Sequence, residues 1–307
     1  MAKLRPSPLL IEDVLTPIVA VIAPGLMGAA VGKRLVDNGL KVLTSLEGRS
    51  LETAARAKTA GLVPARDEEI VSVDFILSIL PPAQALSLAK RFVPTLSASK
   101  RKPVYVDCNA INPATLEHVA AAIAPTECPF VDAGIIGAPP ANPPPQAGDG
   151  SARISGPRFY ACGAEAPRFA ALRDYGLDVR VLGGALGAAS ALKMCHAGIA
   201  KGTTAIGAAM MLAAMRAGCA DYLLNELQFS QNEILAWFKY QMPHMPQRAY
   251  RWVAEMHEIA GFVDEDCPGA GELCEGAARF FQRIAEDFAT DKKDVSALAF
   301  FLGKGSS

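Results

Sequence analysis

From position 18 onward, short apolar runs alternate with stretches whose apolar residues recur at helical spacing. The runs IVAVIA (18–23), KVLTSL (41–46), FILSIL (75–80), VYVDCN (104–109) and PFVDAGIIG (129–137) are apolar on both faces, the pattern of strands covered by helices on each side. Helical patterns fit between them at 26–38, 50–60, 83–96 and 113–123. This alternation predicts an α/β, doubly wound parallel sheet. Further strands are expected at ARISG (152–156), FYACG (159–163) and DVRVLG (178–183). Near position 184 the texture changes, and strand signals give way to helix almost to the end, with later helices expected at 226–240, 247–259 and 270–288. The stretch 186–218 is dominated by Ala, Gly and Met, with Lys193 and Lys201 inside it, as suits a central helix packed closely by its neighbours. The expectation is an α/β domain over 1–183 followed by an all-α domain over 184–307.

The first strand runs into Ala23-Pro24-Gly25-Leu26-Met27-Gly28, which opens a helix. The turn reads as a G-x-G-x-x-G dinucleotide fingerprint whose first glycine is Ala. Gly25 lets the backbone approach a pyrophosphate, Gly28 allows close helix–strand packing, and the helix N-terminus favours an anion. Ala suits the first position if its φ is negative. The fold class is therefore a Rossmann sheet with a helical C-terminal domain. At the end of the second strand, Leu46 stands where an acidic residue would hold the ribose 2′-OH of NAD. Arg49, with Ser45 and Ser50 nearby, offers a charged fork and hydroxyls for the 2′-phosphate of NADP. Glu47 argues for NAD, and Ser50 also reads as an N-cap. NADP is the expected cofactor and NAD the alternative.

Composition narrows the classes. The chain has 307 residues, 51% hydrophobic and 20% charged, with thirty basic against thirty-one acidic residues and a formal net charge of -1. That balance lacks the basic footprint of a nucleic-acid binder. Seven cysteines without a C-x-x-C pair and four histidines without an H-x-x-x-H pair suggest reduced thiols and no metal site. Glu12 and Asp13 interrupt any signal-type apolar region, and the small-apolar stretch 203–215 is short for a membrane span. A soluble, cytoplasmic protein with no membrane partner is expected. The Pro-rich segment at 138–150 is either a rigid surface connection or a loop over the active site.

Several segments together resemble the β-hydroxyacid dehydrogenases, which include the 6-phosphogluconate and 3-hydroxyisobutyrate dehydrogenases. IAPGLMG (22–28) is similar to their G-x-G-x-M-G turn, and SILPP (78–82) to the segment beside the cofactor. DCNAINP (107–113) is similar to D-x-S-T-x-x-P, and FVDAGIIGAP (130–139) to F-x-D-A-P-V-S-G-G. GALGAASALKMCHAGIAKG (184–202) resembles the helix that carries their catalytic lysine. The resemblance implies a Rossmann dehydrogenase acting as a homodimer on a small molecule. It implies Lys193 as catalytic residue and Asn109 as substrate-holding partner. Gly25, Leu26, Met27, Gly28, Ser45, Arg49, Ser50, Leu80 and Pro81 would line the cofactor. Ile136, Gly137, His196 and Arg251 would face the substrate.

The departures are informative. The family's Asn and its proton-donating Glu fall on Ala197 and Ala200, and its polar S-G-G turn on Ile136-Gly137-Ala138. Without an acid at Ala200 a β-decarboxylation lacks its enol-protonating group, so 6-phosphogluconate is a poor substrate candidate. The 243–262 segment, with Tyr250, Arg251, Trp252, Glu255 and His257, departs from the main family. It reads either as a half-exposed helix or as a substrate wall in which Arg251 binds a carboxylate. The expected activity is NADP-dependent hydride transfer between a hydroxy acid, or related alcohol, and its carbonyl compound, with Lys193 as general acid/base. An imine or carbonyl reductase, or a nucleotide sensor without turnover, remains an alternative.

Overall fold

The computed structural model describes residues 16–140 and 156–303. In chain order its α/β part runs β1 (Val19–Ile22), α1 (Leu26–Asp37), β2 (Val42–Thr44), α2 (Leu51–Thr59), β3 (Val63–Pro64) and α3 (Asp67–Ile70). It continues through β4 (Phe75–Ser78), α4 (Ala85–Ala98), β5 (Val104–Asp107), α5 (Pro113–Ile123) and β6 (Phe130–Ile136). Then come β7 (Arg158–Cys162), α6 (Ala166–Phe169) and β8 (Asp178–Val181). The strands form one sheet in the order β3-β2-β1-β4-β5-β6-β7-β8. The crossover from β1 to β2 on one side and to β4 on the other puts the topological switch at the carboxyl end of β1, where open α/β sheets bind ligands.

The strands β1, β4 and β5 are buried along their whole length, as their apolar runs predict. Val21, Leu77 and Val106 face one core and Ala20, Ile76 and Tyr105 the other. Caps set two helix starts: Ser50 accepts from the Thr53 amide, and Asn112, ahead of Pro113, accepts from the Thr115 amide. The sheet is mixed rather than wholly parallel, because β7 runs antiparallel to β6 and β8 then runs parallel to β7. The edge strand β3 and the one-turn helix α3 have too few residues to show a period, and periodicity misses both. The strand expected at 152–156 falls almost wholly outside the described residues, as does the 138–150 segment beyond 140.

After β8 the chain enters α7 (Ala188–Ala217), followed by α8 (Ala220–Ser230), α9 (Asn232–Gln241), α10 (Ala249–Asp266), α11 (Ala270–Ala289) and α12 (Lys293–Gly303). The single helix expected over 226–240 is two, broken where Gln231 leaves helical geometry at φ -144° and ψ 46°. α7 is one unbroken helix of 30 residues, matching the central helix expected over 186–218. By length and composition it could cross a membrane. Here it is the spine of the helical layer, with Met194, Ala205, Ala208 and Met211 in a core shared with Phe238, Met256 and Phe281. Two carboxylates fasten this layer to the sheet. Asp132 of β6 accepts from the Gly187 and Ser190 amides (3.2 and 3.0 Å) and the Ser190 hydroxyl (2.7 Å), capping α7 from a strand. Glu258 of α10 accepts from the Asn112 amide (2.9 Å) and the Thr115 hydroxyl (3.0 Å) at the start of α5.

Candidate active site

The turn after β1 has the geometry a pyrophosphate needs. Gly25 N-caps α1 with no side chain closing the helix end, and a Cβ built there would meet nothing within 4 Å. At Gly28 a Cβ would lie 2.6 Å from the Ala23 carbonyl oxygen, so only glycine allows this approach of helix to turn. Leu26 projects outward and Met27 packs against the sheet core. Ala23 corrects one expectation: its φ is +62°, not negative. The position keeps the left-handed geometry that suits glycine, and the alanine bears the strain, with the Gly25 amide bonding back to the Ala23 carbonyl at 2.8 Å.

At the end of β2, Ser45 is buried, Glu47 is exposed and Arg49 is half-buried. Ser50 is engaged as the α2 cap (3.2 Å to the Thr53 amide). Arg91 of α4, which no local motif singles out, reaches across to this point. Its Nε and Nη2 donate to the two Asp67 carboxylate oxygens at 2.8 Å each. Nη2 also lies 2.9 Å from Ser45 Oγ and 3.0 Å from Glu47 Oε2. Ser45, Leu46 and Glu47 line a cavity of about 540 Å³ together with residues 64–69, and four of its lining side chains, Glu47, Asp67, Glu68 and Glu69, are carboxylates.

Across the switch point, Leu80 and Pro81 follow β4. The Leu80 amide donates to Asn109 Oδ1 at 2.6 Å. Asn109 Nδ2 donates to Ser78 Oγ (2.9 Å) and Asp107 Oδ2 (2.8 Å), and its backbone N–H to Asp107 Oδ1 (3.0 Å). Both amide hydrogens of Asn109 are thus committed within the protein, leaving only a lone pair on Oδ1 for any ligand. Burial pushes the Asp107 carboxyl up to about 7, against the pull of the Asn109 hydrogen bonds. The Tyr105 hydroxyl beside it is buried near Ser78, and burial together with the Asp107 charge raises its pKa against the pull of the Ser78 hydroxyl.

Lys193 sits where α7 crosses β6. The two elements touch because a Cβ at Gly134 would lie 2.7 Å from the Ala189 carbonyl and 3.1 Å from Lys193 Cβ. Lys193 Nζ donates to the Ile135 carbonyl oxygen at 2.5 Å, beside buried Ile136 and exposed Gly137, whose φ is +126°. Burial lowers its pKa to about 8; the Lys201 charge adds to this and Glu255 opposes it. Lys201, only 9% exposed, is paired with Glu255 Oε2 at 2.6 Å and lies 5.9 Å from the centre of the Trp252 ring. Burial alone would raise the Glu255 pKa, but Lys201, Lys193 and Arg251 hold it below the usual carboxylate value. His196 is exposed, one turn from Lys193, with its pKa lowered by partial burial and by Lys193, Lys201 and Arg158. Arg251 is exposed and rests against Tyr250.

Residues 18–142 match the family model described as the NAD binding domain of 6-phosphogluconate dehydrogenase. This part of the chain is thus similar to the NAD-binding domain of 6-phosphogluconate dehydrogenase. Residues 214–284 of the same chain match a domain of unknown function, DUF1932, from the end of α7 into α11. An uncharacterised 28.5 kDa protein from Methanothermus fervidus, described as lying in the 7S RNA 5′ region, is 28% identical over 197 residues, 63% of this chain and 70% of that protein. A solved conserved protein of unknown function, described as structurally similar to 3-hydroxyacid dehydrogenases, is 28% identical with a TM-score of 0.64, covering 88% of this chain and 97% of that one. The 3-hydroxyisobutyrate dehydrogenase of Mycobacterium tuberculosis, solved with L-serine, shares the fold at 19% identity, TM-score 0.64, and 90% and 96% coverage.

Within this dehydrogenase-type fold, Lys193, His196, Ile136 and Gly137 gather where α7 meets the end of β6, and Arg251 acts on the same cluster through Glu255. Asn109 lies in its own network under Leu80. Sequence reasoning noticed Lys201 and Glu255 singly but did not pair them, since they are 54 positions apart. Arg91 carried no signal, because an arginine on a helix face is usually solvated.

Proposed function

We propose that this chain is an NADP-dependent dehydrogenase or reductase that interconverts a hydroxy acid, or a related alcohol, and its carbonyl compound. Support comes chiefly from one observation: Lys193 is held on the Ile135 backbone carbonyl at the carboxyl edge of a Rossmann-type sheet, where burial lowers its pKa to about 8. The Gly25 turn and the open start of α1 would hold the pyrophosphate, and Ser45 and Arg49 the adenosine end. When bound, the nicotinamide supplies or accepts the hydride. Neutral Lys193 takes the hydroxyl proton in oxidation, and its ammonium form returns that proton in reduction. The Ile135 carbonyl aims the amine throughout. Asn109 positions the Leu80–Pro81 segment beside the cofactor, and its remaining Oδ1 lone pair can accept one bond from the substrate. His196 and Arg251 anchor the substrate carboxylate. With alanine at position 200, the enzyme reduces and oxidises without decarboxylating.

Lys193→Met is expected to lower turnover by roughly 10²–10⁴-fold while leaving NADPH binding, followed by fluorescence, unchanged. Normal turnover in that variant rejects the role. In the unaltered protein the oxidation rate rises with pH through about 8, as Lys193 loses its proton, and the reduction rate falls over the same range. A nucleotide sensor is the second reading, favoured by Ala197 and Ala200; the absence of oxidation across a broad hydroxy-acid panel would select it.

A homodimer in the cytoplasm is part of the proposal. Ile199 is 73% and Ile206 63% exposed on α7, beside a groove of about 740 Å³ that Leu273 and Phe280 of α11 help to line. A second copy would cover this face. Ile206→Asp is expected to shift the sedimentation profile from dimer to monomer; a dimer that persists rejects this interface.

A further inference from the structure

We propose that Glu258 is a positioning residue: from the helical layer it completes the N-cap of α5 and so fixes the loop 108–112, whose Asn109 holds the Leu80 amide. This rests on the reading that Leu80 and Pro81 flank the nicotinamide cofactor. It gives the DUF1932 stretch 214–284, in which Glu258 lies, a task in the nucleotide site.

The start of α5 is half of a capping box. Asn112 Oδ1 accepts from the Thr115 amide at 2.7 Å, as an N-cap should. The reciprocal acceptor would be a Glu or Gln three residues on, but position 115 is threonine. Glu258 supplies that acceptor from 146 positions away. Its Oε2 takes both the Asn112 N–H (2.9 Å) and the Thr115 hydroxyl (3.0 Å), and its backbone carbonyl accepts from Asn112 Nδ2 at 3.2 Å. The carboxylate also faces the positive end of α5. Asn112, Thr115 and Glu258 are all partly buried, so removing the carboxylate strands two donors that water reaches poorly.

The loop held in this way has one foot in each layer. Ile111 is buried in the same sheet-side core as Leu80 and Leu116, while Ala110 packs against the core of the helical layer. Asn109, the next residue back, gives its Oδ1 to the Leu80 amide at 2.6 Å and its side-chain hydrogens to Ser78 and Asp107. α10 meets the same segment a second time, against the turn at Pro82–Gln84 that follows Pro81. Displacing α10 therefore moves the cap, the Asn109 loop and the Leu80–Pro81 segment together. Asp132, the other carboxylate that ties the layers, bonds instead to Cys162 of β7 and to Gly187 and Ser190 at the head of α7. It is the control for a tie that does not touch this loop.

The test follows the Leu80 amide and nucleotide affinity in the full chain, at a temperature where circular dichroism shows each variant folded. Glu258→Ala is expected to speed hydrogen exchange at the Leu80 amide by roughly tenfold relative to the β1 amides, and to weaken NADPH binding, followed by fluorescence, by a similar factor. Glu258→Gln keeps the side-chain length and one acceptor oxygen. It is expected to show a smaller change of the same sign, about threefold, and decides the matter alone if the alanine variant does not fold. Asp132→Asn is expected to lower the melting temperature but leave Leu80 exchange and NADPH affinity within about twofold, since it shares no partner with the loop. Leu80 exchange that only tracks the β1 amides, unchanged NADPH affinity, or equal effects from Asp132→Asn would reduce Glu258 to a tie between layers and overturn the proposal. If the unaltered protein binds neither NADPH nor NADH, the nicotinamide reading fails, and the exchange measurement still decides whether Glu258 positions Leu80.

Discussion

At the carboxyl edge of the sheet, Asp107 and Asp132 are buried among neutral donors: the Asn109 amide and backbone for one, Ser190 and the Gly187 N–H for the other. In the helical layer, Lys201 is buried against an opposite charge, Glu255. Neutral donors satisfy geometry without supplying a countercharge, so burial wins and both aspartates have raised pKa values. Lys193 is the exception within the helical layer. It lies on the same helix as Lys201 but has a carbonyl for its partner, and so its pKa is lowered to about 8. A buried ion with a countercharge is a structural tie. One buried without a countercharge in direct contact can exchange its proton near neutral pH, and that difference separates the two lysines of α7.

Breaking the ion pair is the severest test of this contrast. Glu255→Gln leaves Lys201 buried and uncompensated, and is expected to cost about 3–5 kcal/mol in urea unfolding. It also removes the charge that favours the Lys193 ammonium, so the midpoint of any Lys193-dependent pH profile should move below about 8. On the sheet side, Asp107 has a folded pKa of about 7 against an ordinary value of 3.8. The folded state therefore binds the extra proton more tightly, and this contribution is fully present below about pH 4 and lost as pH rises through 7. Melting curves should show the stability of the unaltered protein relative to Asp107→Asn falling across that window, by roughly 2–4 kcal/mol. A pH-independent difference would contradict the shift.

The nucleotide turn gives the smaller effects. Gly28→Ala forces a Cβ against the Ala23 carbonyl and should destabilise the fold by about 1–3 kcal/mol. Gly25→Ala meets no atom within 4 Å and should leave the melting temperature nearly unchanged while weakening NADPH binding. The smallest effect is a gain: Ala23→Gly relieves the left-handed strain and should add about 1 kcal/mol to the unfolding free energy.

Much of the fold was legible because the two periods are local. Strands such as β1 and β4 are buried on both faces and announce themselves in four residues, and α1 and α5 follow from spacing and caps. Where the period has no room, as in β3 and α3, or where strand direction depends on a long connection, as in β7, it was not. Among site residues, the Gly25 turn and Lys193 were visible through their immediate neighbours in sequence. The roles of Arg91, Glu255 and Glu258 were not, because their partners lie 24–46, 54 and 143–146 positions away.

The amino-acid order alone was enough for a nicotinamide-type sheet, its glycine turn and a lysine-bearing helix after it, since each depends on residues within a turn or two of one another. Packing alone decided that Ala23 adopts a glycine's backbone, that Asn109 braces Leu80, and that Lys201 has a carboxylate while Lys193 has only a carbonyl. Charge interactions act through space and strengthen as water is excluded, so their outcome depended on which distant side chains the folded core brought within 3 Å.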